Sequence, residues 1–338
     1  MSDLKNIIVI GASAGGLAAI KELLAIVPEN MPVAIFIVMH VAKVSSPQII
    51  KTILEKHTSY NFCIPEDGET IREGTIYFAP PDVHMLIKPE QIRLINAPHE
   101  NRWRPSIDVL FRSAAVAFNA RAIGIILTGL LDDGTSGMQA VKRSGGICMV
   151  QEPVDAEFPD MPVSVLNNVD VDYRVPVAEM GYVLADIFSK PAASPAPVPE
   201  DIRIESEITE RMTSNITDLE KIGTHSNYVC PDCGGGLWQI KNENGLRYRC
   251  YTGHVYTANL LLEKQNESLE ESLWVSIRMM EERRNLQLNM ASQQNGKDNN
   301  IQKDLITKAE ELRIHIERLK ELLISVHNNA STTDEGYL

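Results

Sequence analysis

The fold is decided by residues 7–16, IIVIGASAGG, in which a run of β-branched apolar residues stops abruptly at small ones. An amphipathic run over residues 17–26 follows, so the pattern predicts a buried strand, a sharp turn and a helix. Gly11, Ser13 and Gly15 have the G-x-S-x-G spacing of a nucleophile elbow, in which a serine lies beside the N-terminus of the following helix. The helix dipole and the free N–H groups there favour developing negative charge.

A glycine-rich turn between a strand and a helix is also typical of phosphate and dinucleotide cradles. Those motifs fit poorly, because Ser13 lies where G-x-G-x-x-G requires its second glycine and no Gly-Lys-Ser/Thr follows as in Walker A. A serine nucleophile also needs a base and an orienting carboxylate. The rest of the chain therefore has to distinguish the two interpretations.

Length, charge and cysteine content limit the class of protein. The 338 residues suffice for one large α/β domain and smaller modules. The net charge of −13 is spread over both halves without a basic stripe, which argues against nucleic acid or an anionic membrane surface as a partner. We expect no signal peptide, and no apolar run approaches the roughly 20 residues of a membrane span. The five cysteines are typical of reduced thiols, so we expect a cytoplasmic protein.

Apolar runs alternate with helical patterns over residues 1–188, which we interpret as one domain. Three runs are typical of parallel strands covered on both faces: residues 33–39, 122–127 and 146–150. Residues 75–79 and 84–87, separated by a proline-rich turn, are interpreted as a local hairpin. The pattern predicts an α/β fold with a doubly wound, mostly parallel sheet in a Rossmann-like, three-layer arrangement. Ligands of such sheets bind beyond the carboxyl ends of the strands.

The rest of the chain divides into three segments. Residues 189–224 are a Pro/Ala-rich linker with a short connecting segment, and residues 225–257 are a Cys/His region. Residues 258–330 carry two long helical patterns separated by a polar break. These patterns fit an α-helical hairpin that buries its own apolar stripe, and they fit equally well a coiled coil that forms a homo-oligomer.

Two further strand ends carry groups that complement Ser13. His40 follows the second apolar run, and Asp132 and Asp133 lie in the turn after a later one. Each feature has an ordinary interpretation, because strand-end histidines are often structural and Asp-Asp-Gly is common in turns. Together, however, the three strand ends carry the nucleophile, base and orienting carboxylate that acyl transfer requires.

Over residues 5–188 the sequence resembles the catalytic domain of the chemotaxis protein-glutamate methylesterases of the CheB type. The resemblance rests on segments that occur in the order of the family: residues 11–16, 38–40, 78–84, 104–115, 127–137 and 151–162. It implies Ser13 as nucleophile, His40 as general base and Asp133 as the residue that orients His40. It also implies hydrolysis of the glutamyl methyl esters of a methylated chemoreceptor or similar signalling protein, with release of methanol and without a cofactor.

The same pocket would also admit a glutamine side chain, so receptor deamidation is a further expectation. Two alternatives stay open: an esterase of the same mechanism that acts on a non-receptor ester, and a catalytically silent signalling module that docks partners on its glycine-rich rim.

The resemblance implies oxyanion contacts from backbone N–H groups near Ala14 and Leu130. The chain departs from the family at Ala14, where Thr or Ser is common, and at Leu131, where the family has a second glycine. The turn at Leu131 therefore cannot rely on the conformational freedom of glycine. Because the chain begins just before its first strand, we expect no receiver domain and no unblocking of the site by phosphorylation.

A second site is predicted within the Cys/His region. Cys230, Cys233, Cys250 and His254 have the spacing C-x2-C-x16-C-x3-H, which is typical of a zinc ribbon, whereas free surface thiols are the alternative. His225 is an alternative ligand. Four protein ligands close the coordination sphere, so we expect a structural zinc ion and hydrolysis that persists when the chain is cut in the linker.

Overall fold

The computed structural model describes residues 6–29, 31–41, 46–191, 193–293 and 299–334. It divides into two compact units, residues 1–258 and 259–338.

The first part of the larger unit alternates strands and helices. Its strands are β1 (Asn6–Ala12), β2 (Val33–Met39), β3 (Asn61–Cys63), β4 (Thr75–Phe78), β5 (His84–Ile87), β6 (Ile92–Ile95), β7 (Ala122–Ile126), β8 (Ile147–Gln151) and β9 (Tyr173–Val175). Its helices are α1 (Gly16–Ile26), α2 (Pro47–Leu54), α3 (Ile107–Phe118), α4 (Thr135–Arg143), α5 (Asp160–Asn168) and α6 (Val177–Ser189), with 3-10 turns at Glu55–His57 and Asn119–Arg121.

Seven of these strands form one sheet in the order β3-β4-β2-β1-β7-β8-β9, with every neighbouring pair parallel. Alternate residues of a strand face opposite layers: Val9 lies in one apolar cluster, and Ile8 and Ile10 lie in the other. Helices cover both faces, which is why the central strands are continuously apolar. The predicted doubly wound, mostly parallel α/β fold is confirmed.

The predicted hairpin of residues 75–79 and 84–87 is wrong. Strand β4 is instead a member of the main sheet and pairs in parallel with β2, while β5 pairs antiparallel with β6. All four residues of β4 are buried, so it has the burial expected of a central strand. A short apolar run followed by a proline turn does not distinguish these two partners, because the pairing of β4 is set by a strand about 40 residues earlier in the chain.

A small antiparallel sheet completes the larger unit. Helices α7 (Glu200–Arg211) and α8 (Ile216–Ile222) precede β10 (Gly223–Val229), β11 (Gly236–Ile240), β12 (Arg247–Cys250) and β13 (Val255–Thr257), which pair in sequence order. Asn215 caps α8 by accepting a hydrogen bond from the Asp218 amide at 2.7 Å. Ile204 of α7 and Leu219 of α8 share an apolar cluster with Trp238 of β11. Much of the segment interpreted as linker and connecting chain is therefore helical and packed.

Buried charged side chains connect the small sheet to α3 and α7. Arg247 donates to both carboxylate oxygens of Glu205 at 2.6 and 2.7 Å, and Arg249 donates to Glu100 at 2.9 Å. Arg112 of α3 pairs with Glu100 at 3.0 Å. All five residues are at most 3% exposed. Because removing one partner of a buried pair costs about 3–5 kcal/mol, these contacts fix how the small sheet is docked.

The smaller unit consists of the long helices α9 (Ala258–Gln293) and α10 (Asn299–Asp334). Glu281 of α9 and Lys320 of α10 form an ion pair of 2.7 Å, and Ile277 and Ile316 are buried. The two helices thus contact each other within the chain, as expected for a hairpin, and the homo-oligomer stays a prediction. Among the described residues, no helix has the length and apolarity needed to cross a membrane.

The turn between β7 and α4 generates a stability prediction. Leu131 has a φ of 67°, a left-handed conformation that costs a non-glycine residue about 1–2 kcal/mol. We expect Leu131→Gly to raise the free energy of unfolding by about 0.5–1 kcal/mol, since the relief of strain outweighs the entropy that glycine gains in the unfolded chain. Urea denaturation measures this change.

Leu130→Gly is the matched control, because Leu130 is similarly exposed (47% against 50%) and is not among the residues with positive φ. We expect this variant to be destabilised by about 0.5–1 kcal/mol. Equal effects at both positions would contradict the explanation.

Candidate active site

The candidate site lies at the carboxyl edge of the sheet, where three neighbouring strands end. The register pairs Ala12 of β1 with Met39 of β2, so the next residues, Ser13 and His40, emerge side by side. The pairing continues past the strands, because the His40 amide donates to the Ala12 carbonyl at 3.1 Å and the Ser13 amide donates to the Thr128 carbonyl at 3.0 Å. The strand order β2-β1-β7 therefore brings the serine, the histidine and the turn after β7 together.

Ser13, His40 and Asp133 form a continuous chain of hydrogen bonds. His40 Nδ1 lies 3.1 Å from Ser13 Oγ, and His40 Nε2 lies 2.8 Å from Asp133 Oδ2. A carboxylate only accepts, so the imidazole proton is on Nε2, and the free pair of Nδ1 faces the serine hydroxyl. In the serine-protease triad the other ring nitrogen faces the serine, but the chemistry requires only one basic nitrogen at the hydroxyl.

Asp133 is buried and held by several donors. Besides His40, it accepts from the Ile107 amide at 2.7 Å and from Ser106 Oγ at 2.9 Å. Burial by itself raises the pKa of this carboxyl, but the hydrogen bonds from His40, Ile107 and Ser106 outweigh burial and lower the pKa below its ordinary value. Asp133 is therefore ionised at neutral pH, as a group that orients and stabilises an imidazolium must be.

A second buried carboxyl, Asp108, fixes the turn that carries Asp133. Asp108 accepts from the amides of Gly134 and Gly137, at 3.0 and 2.6 Å, at the beginning of α4. Burial and the nearby charge of Asp133 raise the pKa of Asp108 well above its ordinary value. The pKa values of the two carboxyls are thus shifted in opposite directions, and Asp133, the one beside His40, keeps its charge.

The sequence did not single out the residues that surround the triad. The Trp103 ring stacks on the His40 ring, with centroids 4.0 Å apart and an interplanar angle of 7°. Asn101 Nδ2 donates to Asp108 at 2.8 Å and approaches Asp133 at 3.4 Å. Ser106 and Asp108 lie in a segment noted only for its resemblance to the family, while residues 101–103 carry no motif that predicts these contacts.

Close backbone approach explains two glycines at the edge of the site. A Cβ on Gly129 would lie 2.7 Å from the Cβ of Ser13 and 2.1 Å from Met161 Sδ, so a side chain there would collide with both. Gly15 has a φ of 71°, and a Cβ there would lie 2.8 Å from Glu157 Oε2. Both positions keep the turn around Ser13 compact.

A pocket of about 530 Å³ lies beside Ser13, and His40 is among its lining residues. Lys21 of α1, Met39 at the end of β2 and Ile53 of α2 also line it. Ala14 and Leu130, the positions expected to supply oxyanion contacts, directly follow Ser13 and Gly129. The amides of Ser13 and Gly129 donate to the carbonyls of Thr128 and Phe158, at 3.0 and 2.9 Å.

The four predicted metal ligands converge at one end of the small sheet. The potential ligand atoms of Cys230, Cys233, Cys250 and His254 all lie within 4.8 Å of one another. Three thiols and one imidazole in such a cluster fit the closed tetrahedral shell of a structural zinc ion. His225, the alternative ligand, instead packs edge-on against the Trp238 ring, with centroids 4.9 Å apart.

Tyr256 supports the cluster from outside. Its hydroxyl lies 3.0 Å from Cys230 Sγ and donates to Asp232 at 2.7 Å. Polar groups of this kind orient metal ligands from the second shell.

Comparison with known proteins covers the first domain. The family model of the CheB methylesterases matches residues 8–184. A putative protein-glutamate methylesterase/protein-glutamine glutaminase of Leptospira interrogans is 39% identical over 167 residues, which are 49% of this chain and 86% of the relative. A protein-glutamate methylesterase/protein-glutamine glutaminase of Methanosarcina barkeri is 31% identical over 196 residues, 56% of this chain and 54% of that protein.

A solved structure agrees with these relatives. The crystal structure of the Thermotoga maritima CheB methylesterase catalytic domain matches with a TM-score of 0.52 and 28% identity, covering 54% of this chain and 98% of that one. The family match spans just over half of the 338 residues and includes Ser13, His40 and Asp133. The chain belongs to the CheB methylesterase family.

Proposed function

We propose that the protein hydrolyses the methyl esters of glutamate side chains in a signalling protein, releasing methanol. The observation that carries this proposal is the chain of hydrogen bonds from Ser13 Oγ through His40 to the buried carboxylate of Asp133. Membership of the family and the printed names of the relatives support the ester as substrate.

The reaction follows from the positions of these groups. Ser13 Oγ attacks the ester carbonyl as His40 Nδ1 takes the hydroxyl proton, and Asp133 stabilises the resulting imidazolium. His40 then returns the proton to the departing methoxy group, which leaves as methanol, and the glutamyl acyl group remains bound to Ser13 as an acyl-serine. Water activated by His40 hydrolyses that intermediate to the free glutamate and restores Ser13.

The negative charge on the carbonyl oxygen needs donors on the opposite side from His40. We propose the backbone amides of Ala14 and Leu130 for this role, because the amides of Ser13 and Gly129 beside them are engaged within the protein. Ala14 lies just before the N-terminus of α1, where the helix dipole favours negative charge.

The pocket suits a side chain that extends from a larger partner. Met39 and Ile53 offer apolar contact for methylene groups, and Lys21 offers a positive charge to the carboxylates of an acidic signalling protein such as a chemoreceptor. A glutamine amide presents the same carbonyl, and ammonia would then leave in place of methanol. The names of both relatives include this glutaminase activity.

We further propose a division of labour along the chain. Residues 1–188 carry the hydrolysis, and residues 225–257 bind one structural zinc ion through Cys230, Cys233, Cys250 and His254. Residues 258–330 provide a helical hairpin, through which a homo-oligomer stays a prediction. We place the protein in the cytoplasm, where thiolate ligands stay reduced.

Ser13→Ala tests the nucleophile. Without the hydroxyl, only binding and oxyanion contacts remain, so we expect hydrolysis to fall by about 10⁴-fold or more with the fold intact. Methanol release from methylated receptor membranes measures the loss, and a generic ester assayed in parallel distinguishes a receptor substrate from a small one. Ser46→Ala, the same change before helix α2, is the control. A Ser13→Ala protein with nearly full methanol release would exclude the triad, and failure of the unmodified protein to hydrolyse any ester would favour the docking module.

Asp133→Asn and Asp132→Asn separate two adjacent carboxylates. Asp133 bonds to His40, whereas Asp132, which is only partly buried, accepts from Thr257. An amide at 133 loses the charge that stabilises the imidazolium, so we expect kcat to fall by about 10⁴-fold there and by no more than a few-fold at 132. Circular dichroism establishes that both variants fold. Equal losses, or the reverse order, mean that the wrong aspartate has been assigned.

Metal analysis tests the Cys/His cluster. Protein purified without chelator is expected to contain one zinc ion per chain, and Cys250→Ser is expected to lose it because a three-ligand site binds zinc far more weakly. Cys63→Ser is the matched control, since this thiol lies outside the cluster and donates to Glu69. Absence of zinc from the unmodified protein would reject the site.

A further inference from the structure

One short segment, residues 99–103, contacts both the triad and the small sheet; we name it the 99–103 loop. It lies between β6 and α3, and it is closed by mutual backbone hydrogen bonds between Glu100 and Trp103, at 3.3 and 2.9 Å. No residue of this loop takes part in the proposed catalytic steps. The loop nevertheless contacts His40, the proposed general base, through Trp103.

At one end the loop holds the triad. Trp103 covers one face of the His40 ring, with centroids 4.0 Å apart, and the His40 side chain has no exposed surface. Asn101 Nδ2 bonds to Asp108 at 2.8 Å and approaches Asp133 at 3.4 Å. Asp133 fixes an edge of the imidazole, and Trp103 fixes its plane. The orientation of Nδ1 toward Ser13 therefore depends on both.

At the other end the loop is held by the two strands that carry the Cys/His cluster. The Asn101 amide donates to the Val255 carbonyl at 3.0 Å, and the Val255 amide donates to the His99 carbonyl at 3.4 Å. Arg249 donates to Glu100 at 2.9 Å. Val255 directly follows His254, and Arg249 directly precedes Cys250, so each anchor is one residue from a cluster member.

The turn between β12 and β13 connects these anchors. Inside it, the Cys250 amide donates to the His254 carbonyl at 3.0 Å and the Gly253 amide donates to Cys250 at 3.1 Å. A bound metal holds Cys250 and His254 together, and for small modules the free energy of metal binding is free energy of folding. Loss of the metal is therefore expected to loosen the turn and to let the anchors on either side of it move.

The buried groups of the loop make such a movement consequential. Glu100 and Asn101 are 1% and 3% exposed. If Arg249 and Val255 withdraw, Glu100 keeps its ion pair with Arg112 but loses the one with Arg249. The Asn101 amide then also loses its acceptor, the Val255 carbonyl. Buried groups left without partners are costly, so the loop shifts toward solvent and carries Trp103 away from His40.

We propose that Trp103 is a positioning residue for His40 and that the 99–103 loop transmits metal occupancy of the Cys/His cluster to the triad. This inference rests on the proposed esterase activity. The ligand is a divalent cation of the zinc type, chosen by three thiolates and an imidazole. The metal takes no part in the chemistry; it sets the fraction of molecules in which His40 is correctly placed.

Substitutions at Trp103 in the full chain test the positioning role. Trp103→Leu removes the stacked ring, and we expect kcat to fall roughly three- to tenfold with KM unchanged. Trp103→Phe keeps an aromatic face and is expected to retain most of the kcat. Titration with a fluorophosphonate, a serine-reactive probe, counts the intact sites. A loss that disappears when kcat is expressed per titrated site, or equal losses in both variants, overturns the positioning role.

Amide hydrogen exchange tests the transmission and needs no substrate. After chelation of the metal, we expect faster exchange at Asn101 and Trp103, reversed by added zinc, with no change at Lys88, whose amide donates to Gln91 within the β5–β6 hairpin. Cys250→Ser is expected to behave as the chelated protein and Cys63→Ser as the loaded one. In the same samples, the rate of the fluorophosphonate reaction at Ser13 is expected to fall with metal loss.

The outcomes distinguish failure of the coupling between the metal and the triad from failure of the proposed esterase activity. Unchanged exchange at Asn101 after verified metal loss overturns the transmission, and so does faster exchange without slower labelling of Ser13. Because neither readout uses a methyl ester, a protein that shows both effects and yet releases no methanol contradicts the proposed substrate rather than the coupling.

Discussion

The arrangement of the catalytic edge depends on the buried carboxylate of Asp133. It accepts from His40 at the end of β2 and from Ser106 and Ile107 at the start of α3, so one group holds the sheet edge and a helix in fixed relation. Charge-assisted hydrogen bonds are strong in a low dielectric, and each donor would be costly to leave unpaired there. Asp108 completes the arrangement by binding the amides that begin α4, which fixes the turn that carries Asp133.

Buried charged pairs attach the small sheet to the rest of the larger unit. Arg247 and Arg249 reach Glu205 and Glu100 in a region with almost no exposure, where a pair stabilises little more than apolar side chains would but is costly to break. Such pairs specify one docked orientation. The expectation that a cut in the linker leaves hydrolysis unaffected followed from the sequence positions of the triad alone. In the structure, two of the charges that pair with Arg112 and Glu100, those of Glu205 and Arg249, lie beyond that cut. In the proposed coupling, their separation from the catalytic part disturbs the 99–103 loop against His40.

The sequence was sufficient to predict the site residues whose positions follow from the parallel arrangement of neighbouring strands. Ser13, His40 and the pair Asp132 and Asp133 were identified because carboxyl ends of such strands meet at one edge, and the family resemblance singled out Asp133. The structure brings Ser13, His40 and Asp133 together. Contacts that depend on distant segments left no local signal, and Trp103 is the clearest case, since nothing in its neighbours indicates a histidine 63 residues earlier. Helix α7 was missed for a different reason: Glu205 lies on its buried face, where periodicity assigns a charged residue to solvent.

A closed metal site affects a distant serine only through the backbone that carries its ligands. Cys250 and His254 bracket a turn of five residues, and the residues on either side of it contact the 99–103 loop, so the path from the cluster to His40 is short and passes through buried hydrogen bonds. In the proposed coupling, metal binding and local folding are one equilibrium, so the turn has two states, closed with the metal and open without it. The metal can act on His40 through this turn only if it stabilises one arrangement of the turn more than the other. In the structure Glu100 pairs with Arg249, and the Asn101 amide donates to the Val255 carbonyl. The proposed coupling requires that these two contacts weaken when the turn opens.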